Sequence, residues 1–574
     1  MKRNTLTTAV VAGLTGMAGM VSVSNAVNVN PDGMGQVLLY PYYSARGGND
    51  TLISIVNTTE RGKAVKIRFR EAINSRDVLD FHIYMSAYDV WTAAVTANDA
   101  GGAKLVTTDT TCTVPYIFGS AYEGEVDFLP TEFNTEASTT TGIKNRLDNG
   151  PTGEERVASG YIEVIEMGAL DAAPDTAPKV TKGVPADKDG YVAWAVEHSK
   201  GVPGNCDALV NAWTANAPAT ATLGGAWLSS EMVTGEDGDP TVGFDESGDA
   251  PTGGLFGSAS IINVAEGTMF SYNATAIEGF FAPTNIAHEQ PGFETPNLRT
   301  RGTVETSNIF ENGSVGSYDW SGNGDDAAFN SMLALNSVLT NDKLMNEYVT
   351  DASIGAQTEW VVTMPTKRFH VDANPANEGG AGVTAGSPVA PFTRTTKYNK
   401  TAASQTFACE DVSFSFWDRE EQQVSESETA VPPVVSPMPQ IPSEDPDLFQ
   451  LCREANVIRF ASDDSYPDAS GILKEPKRAD TVFGYNNFEL AYSEGWMELD
   501  LADVPEASEI NDTVDIRRSL PADKDGESKE FTGLPVVGFA VTTYTNGNVG
   551  DGVLSNYGGT FQHRTSRTIV SSGQ

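Results

Sequence analysis

The sequence predicts an all-β protein: one or two β-sandwich modules with long loop insertions and one long helix at about 325–348. Three observations predict it. Apolar and polar residues alternate in short runs, which is the period of a strand with one buried face. Gly, Asn, Asp and Ser clusters punctuate those runs at sandwich-like spacing. Helical spacing is confined almost entirely to one stretch.

The elements follow in order. Residues 36–40 and 51–56 are apolar runs divided by the turn 44–50 (SARGGND). Val65, Ile67 and Phe69 then alternate with Lys66, Arg68 and Arg70, so one face of that strand is apolar and the other charged. Phe81, Ile83 and Met85 repeat the pattern, and 90–95 continues it, giving a five-strand meander. Val192, Trp194 and Val196 read as a further strand. Residues 258–264 and 269–274 flank Ala265-Glu266-Gly267 as a hairpin. Trp360, Val362 and Met364 form a strand that Pro365 should place at an edge or a bulge. Val412, Phe414 and Phe416 alternate, as do Met497, Leu499 and Leu501. A last strand spans 536–544 and runs into Asn546-Gly547, the residues of a type I′ turn. In the helix, Phe329, Met332, Leu333, Leu339 and Leu344 recur at helical steps behind Asp325 and Asp326. A shorter helix is expected at 207–213.

Long polar loops connect these elements, at 131–155, 232–254, 289–325 and 372–391. Residues 420–447 carry six prolines between Pro432 and Pro446 and favour extended polyproline structure. They are either a domain linker or an excursion stapled at its base. The expected division is a signal segment at 1–26, a β-rich module with insertions at 27–400 and a second β-rich module at 401–574.

The chain opens with Lys2 and Arg3, continues through an apolar stretch interrupted by Thr, Ser and Gly, and reaches Ser24-Asn25-Ala26. This is the layout of a secretory signal peptide, with cleavage expected after Ala26. No later run is apolar enough for a membrane span. Four cysteines in an exported chain suggest disulfides. Of three possible pairings, Cys112–Cys206 and Cys409–Cys452 keep each partner within one half of the chain. The formal charge of −40 opposes binding to nucleic acid phosphates and favours solubility and loose attraction of cations.

Motifs for specific chemistry are few. Asp187 and Asp189 in 184–190 (VPADKDG), and Asp523 and Asp525 in 520–526 (LPADKDG), resemble the middle of a calcium loop. Pro185 and Pro521 occupy the first ligand position of an EF-hand, and Val196 and Thr532 its final Glu position, so both segments read as turns. Asp325 and Asp326 are a further Ca²⁺ candidate. The sequence contains no nucleophile elbow, zinc-protease helix or phosphate loop. The five histidines are scattered, and His82 and His370 fall in expected strands. Lys66, Arg68 and Arg70 form a basic stripe, either a docking face for an acidic partner or a cross-strand charge ladder. Tyr40, Tyr42 and Tyr43, and Phe280-Phe281, are either core or exposed platforms for sugar or protein.

Residues 35–43 (GQVLLYPYY), 51–58 (TLISIVNT) and 89–92 (DVWT), with 267–273, 360–369 and 533–539, resemble a group of exported proteobacterial cell-surface proteins. The resemblance implies export and a surface role, and supplies no catalytic residues. The early strand–turn–strand section also resembles an immunoglobulin-type sandwich, a likeness of fold alone. The expectation is a secreted, non-enzymatic surface, matrix or adhesion protein whose partners are protein or glycan surfaces, a second copy of itself included. The alternatives are a glycan hydrolase using paired carboxylates and a self-assembling filament or layer subunit.

Overall fold

The computed structural model describes residues 26–134, 150–170, 188–214, 227, 248–283, 285, 287–299, 304–311, 313–323, 327–371, 389–393, 408–421, 423–425, 449–462, 465–477, 484–490, 492–502, 518–520, 529–550 and 553–571. Its architecture is all-β, built chiefly from four sheets in two facing pairs.

The first sheet centres on strand Ser159–Leu170, flanked by Val37–Ser44 on one side and by Lys63–Glu71, then Asp77–Met85, on the other. The second runs Thr268–Asn273, Leu255–Asn263, Asn49–Asn57, Val90–Ala97, Ala103–Val106, Glu125–Asp127. Their inner faces share one core, in which Val65, Ile67, Phe69, Ile162 and Val164 meet Ile53, Ile55, Trp91, Val95 and Ile261. The five strands expected between 36 and 95 are present, but not as a meander. Only Lys63–Glu71 and Asp77–Met85 pair as chain neighbours. Val37–Ser44 joins their sheet through Ser159–Leu170, and Asn49–Asn57 pairs with Val90–Ala97 in the facing sheet, because period two marks a strand without choosing its partner. The 258–274 hairpin is present. Pro41 lies inside a central strand because the register shifts beside it, between Gly160 and Ile162, so no ladder bond is asked of its missing N–H.

The third sheet joins Glu410–Trp417, Glu494–Asp500, Lys343–Val349 and Arg564–Ser566, and the fourth joins Ala455–Ala461, Ala356–Thr363, Val537–Gly550 and Val553–Gln562. Phe414, Phe416, Met497 and Leu499 of the third pack on Trp360, Val362, Ile458 and Phe460 of the fourth. The fourth sheet is apolar on both faces. Val361, Val457, Phe539 and Val541 point the other way and join the first core. Tyr272 stacks on Phe539 with centroids 4.5 Å apart, and the Thr363 hydroxyl donates to the Pro41 carbonyl at 2.6 Å. The two pairs are therefore one continuous packed body. Strands Lys343–Val349 and Ala356–Thr363 pair with strands beyond 410, so the sheets divide between 278 and 343 rather than near residue 400.

The long helix is shorter than expected. It spans Ala327–Leu339 and packs Met332, Leu333, Leu335 and Leu339 on Val37, Leu39 and Ile165 of the first sheet. Thr340, Asn341 and Asp342 are poor helix formers, and Leu344 and Tyr348 then turn inward from a strand. Spacings of four fit a strand as well as a helix, and two neighbouring strands capture this segment. The opposite correction applies at Lys188–Val196, which is helical: Val192, Ala195 and Val196 are buried at helical spacing against Leu209. The expected 207–213 helix is present at Cys206–Ala212, capped by the Asn205 side chain. Pro365 lies two residues beyond a central strand rather than on an edge. The final hairpin does not turn at Asn546-Gly547; its first strand shifts register there and continues to Gly550.

Both expected disulfides are present, Cys112–Cys206 and Cys409–Cys452. The second links adjacent antiparallel strands, Glu410–Trp417 and Phe449–Leu451, so 420–447 is a stapled excursion. Its Gln423–Ser425 portion is a strand, and 426–447 lies outside the described residues. The bridges span 94 and 43 residues of sequence. Replacing either pair by alanine is expected to lower unfolding free energy by about 4 kcal/mol, read in urea titrations. An unchanged urea midpoint would contradict that expectation.

Candidate functional site

The basic stripe is inside the molecule. Lys66, Arg68 and Arg70 share one strand face, as the alternation requires, but each is 1% exposed. Residues 293–296 cover them. Arg68 donates to the carbonyls of Phe293 and Glu294 at 3.0 and 2.6 Å, and Lys66 donates to those of Phe293 and Thr295. Asp80 pairs with Lys66 at 3.0 Å and Asp77 with Arg68 at 2.8 Å. Glu163, opposite Arg68 on the central strand, also lies 3.5 Å from Arg70. Glu294 pairs with Arg70 at 3.0 Å and with Arg368. The docking reading is thus replaced by the charge ladder, extended by a loop that supplies its own counter-charges. Burial works upward on Glu294, but Arg368, Arg70 and Arg68 hold its carboxyl well below the usual range. Burial and the neighbouring Arg68 pull the Lys66 ammonium down to about 8.

Other buried carboxylates hold loops. Glu71 accepts from the backbone N–H groups of Ile73, Asn74 and Arg76 and takes both arms of Arg156 at 3.0 Å. Glu166 accepts from Lys63 and from the N–H groups of Thr252 and Gly253. Glu359 accepts from those of Ile472 and Leu473, and Glu410 from Thr393 and Arg518. Glu475 takes the Tyr42 hydroxyl at 2.6 Å and Arg453 at 2.8 Å, which ties the two sheet pairs together. Burial raises its pKa, but Arg453 and Arg46 outweigh that and bring it down to about 2.

The histidines are mostly structural. The Tyr84 hydroxyl lies 2.8 Å from His288 Nε2 and accepts from Trp213 Nε1 at 3.0 Å. Trp227 stacks on Tyr84, and His82 closes the cluster. The Cys112–Cys206 bridge lies in the same cluster and anchors the helix that leads to Trp213. His370 is in a helical turn rather than a strand, with Nε2 2.7 Å from the Asn336 amide. Burial holds His82 and His288 well below the ordinary value and pushes His370 and His563 down to about 4.

Among the described residues no three His, Cys, Asp or Glu side chains group as a metal cage. Asp189 falls within the Lys188–Val196 helix; Asp187, Asp523, Asp525, Asp325 and Asp326 lie outside the described residues. Tyr40, Tyr42, Tyr43, Phe280 and Phe281 are core.

Two surface grooves carry chemistry. One, of about 500 Å³, is lined by Glu60, Arg61, Tyr88, Asp89, Glu197 and His198. Tyr88 is exposed, with φ of 58°. Ser86 Oγ and Asp89 Oδ2 lie 3.4 and 3.9 Å from the same nitrogen, His198 Nδ1. A nucleophile relay needs the hydroxyl and the acid on opposite ring nitrogens, so this is not one. Asp89 instead holds its turn, accepting from the N–H groups of Ser86 and Val90 and from the Thr111 hydroxyl.

The second groove, of about 540 Å³, is lined by Met345, Asn346, Glu347, Trp496, Thr560, Phe561, Gln562 and Arg564. Trp496 stacks on Trp417 with centroids 4.0 Å apart and planes 9° off parallel. Asn346 ties the strands beneath, donating to the carbonyls of Phe561 and Gln562. A sequence signal for this groove existed. Trp496 is on the polar phase of a strand whose inward residues are Met497 and Leu499, and an aromatic residue there faces solvent.

Comparison with protein-family models, curated proteins and solved structures finds no match for this chain.

Glu71→Ala would leave Arg156 without this carboxylate in the interior, so it is expected to cost about 3–5 kcal/mol in chemical unfolding. The exposed Glu60→Ala should stay within about 0.5 kcal/mol of the parent, and equal effects would refute the clamp. The histidines give a pH test. Their folded pKa values lie below the ordinary value of about 6.5, so their stabilising contribution is complete above it and is lost as pH falls through the window below. Histidine-selective NMR at about pH 5.5 should find His82, His288, His370 and His563 neutral; a charged ring at any of the four would contradict their burial.

Proposed function

We propose that this chain is an exported, non-catalytic surface, matrix or adhesion protein that works by contact. The N-terminal sequence has the pattern of a signal peptide, and two disulfides suit an oxidising compartment. No helix among the described residues is long and apolar enough to cross a membrane. The observation that carries the reading is how side chains are distributed. The buried carboxylates and four of the five histidines are engaged in holding the fold, whereas Trp496, Phe561 and Tyr557 are turned to solvent. The likeness to exported cell-surface proteins in 35–43 and 51–58 agrees with this.

The glycan-hydrolase reading draws on the groove where Glu60, Asp89, Glu197 and His198 share one opening. One experiment separates the two. The full chain, expressed with its own N-terminus in a bacterial host, should be recovered outside the inner membrane with Val27 as its first residue. Incubated with a panel of polysaccharides, it should adhere without generating new reducing ends. Reducing ends that accumulate with time, and vanish in Asp89→Asn, would replace the contact reading with the hydrolase.

A further inference from the structure

We propose that the groove lined by Trp496 and Phe561 is a binding site for an uncharged glycan. The inference rests on the contact reading and names its ligand class. Sugar rings present apolar C–H faces that stack on aromatic rings and a rim of hydroxyls that want amide, guanidinium or carboxylate partners. The groove offers both in fixed positions.

Trp496 is 36% exposed, and Trp417 covers one of its faces, so its remaining surface lines the groove in a set orientation. Phe561 is 52% exposed, and its ring lies along its own strand rather than standing off it. A Cβ at Gly559 would meet the Phe561 ring at 3.1 and 3.2 Å, so the missing side chain is what lets the ring lie down. On the other side of the strand, a Cβ at Gly558 would come within 2.6 Å of the Phe270 ring. Two consecutive glycines thus let strand Val553–Gln562 seat the Phe270 ring of strand Thr268–Asn273 on its inner side and present its own Phe561 ring on the outer side. Tyr557, 62% exposed, projects from the same strand face four residues before Phe561, about 13 Å away along a strand. Ser555 donates to its hydroxyl at 2.9 Å. Gln562, Arg564 and Glu347 supply polar groups around the rings, and they include one charge of each sign.

Charge selects the ligand. Among the described residues nine Lys and Arg are buried with nine Asp and Glu, so the interior absorbs none of the excess negative charge. The excess negative charge of the described residues therefore lies outside their interior, on a surface that repels acidic polysaccharides and nucleic acids. A neutral polymer escapes that repulsion and still stacks.

The test is affinity electrophoresis of the full chain through gels containing laminarin or hydroxyethylcellulose, both uncharged, or alginate, a polyanion. The chain should be retarded by an uncharged polymer and not by alginate. Trp496→Ala and Phe561→Ala should each weaken retardation by about tenfold or more. Phe561→Tyr should retain it, as should Tyr88→Ala in the other groove, with unfolding midpoints measured alongside to confirm intact folding. Equal retardation of parent and both alanine variants, or retardation by alginate alone, overturns the proposal and leaves the contact reading standing. Release of reducing ends overturns the contact reading itself.

Discussion

A carboxylate taken out of water must be surrounded by donors, and the arrangement of this protein follows from how its strands meet that demand. Glu71, Glu166, Glu359 and Glu410 project from strands into the interior, and each is satisfied by a loop. The dependence runs both ways. The loop N–H groups would be unsatisfied without the carboxylate, and the carboxylate would be uncompensated without the loop. Segments with little apolar content of their own are thereby fixed to the sheets. The basic face of the first sheet extends the same logic, since loop carbonyls at 293–296 and the Glu294 carboxylate close over Lys66, Arg68 and Arg70.

This explains why two sheet pairs behave as one body. Apolar packing alone would let the fourth sheet slide against strand Val37–Ser44. The Glu475 carboxylate, held by Tyr42 from one pair and Arg453 from the other, fixes a single register. The consequence for function is preorganisation. A contact surface built on strands whose neighbours are clamped loses little conformational entropy when it binds. The aromatic groove spans the third and fourth sheets at the point where Asn346 ties them, so its walls belong to that fixed frame.

The sequence was most legible where one face of a strand meets one core. The early strands, the 258–274 hairpin and the alternating strands near 414 and 499 follow from period two alone, whereas the division of the early strands between two facing sheets does not. It was least legible where tertiary partners decide. The segment after Leu339 is a strand because Glu494–Asp500 and Arg564–Ser566 flank it, and both are far away in sequence. The run around Trp194 is too short for its period to choose between helix and strand. The basic stripe was visible as a stripe, but Glu163 and Glu294, which bury it, are roughly one hundred and two hundred residues downstream. Aromatic clusters such as 40–43 drew attention by density, yet density marks the core. The phase of Trp496 within its strand was the better guide to exposure.

The acidic composition also acquires a physical meaning. Basic residues are scarce, and nine of those in the described residues are spent against nine interior acids. Among the described residues fewer cations than anions are left outside the interior, so the described exterior is acidic. Such a surface stays hydrated and resists collapse onto copies of itself. It also limits adhesion by charge to cationic partners, because long-range attraction to acidic surfaces is unavailable to it. Contact with neutral surfaces must then come from short-range stacking and hydrogen bonding, which act within contact distance and are indifferent to net charge. The exposed rings on glycine-thinned strand Val553–Gln562 are groups of the kind that such contact requires.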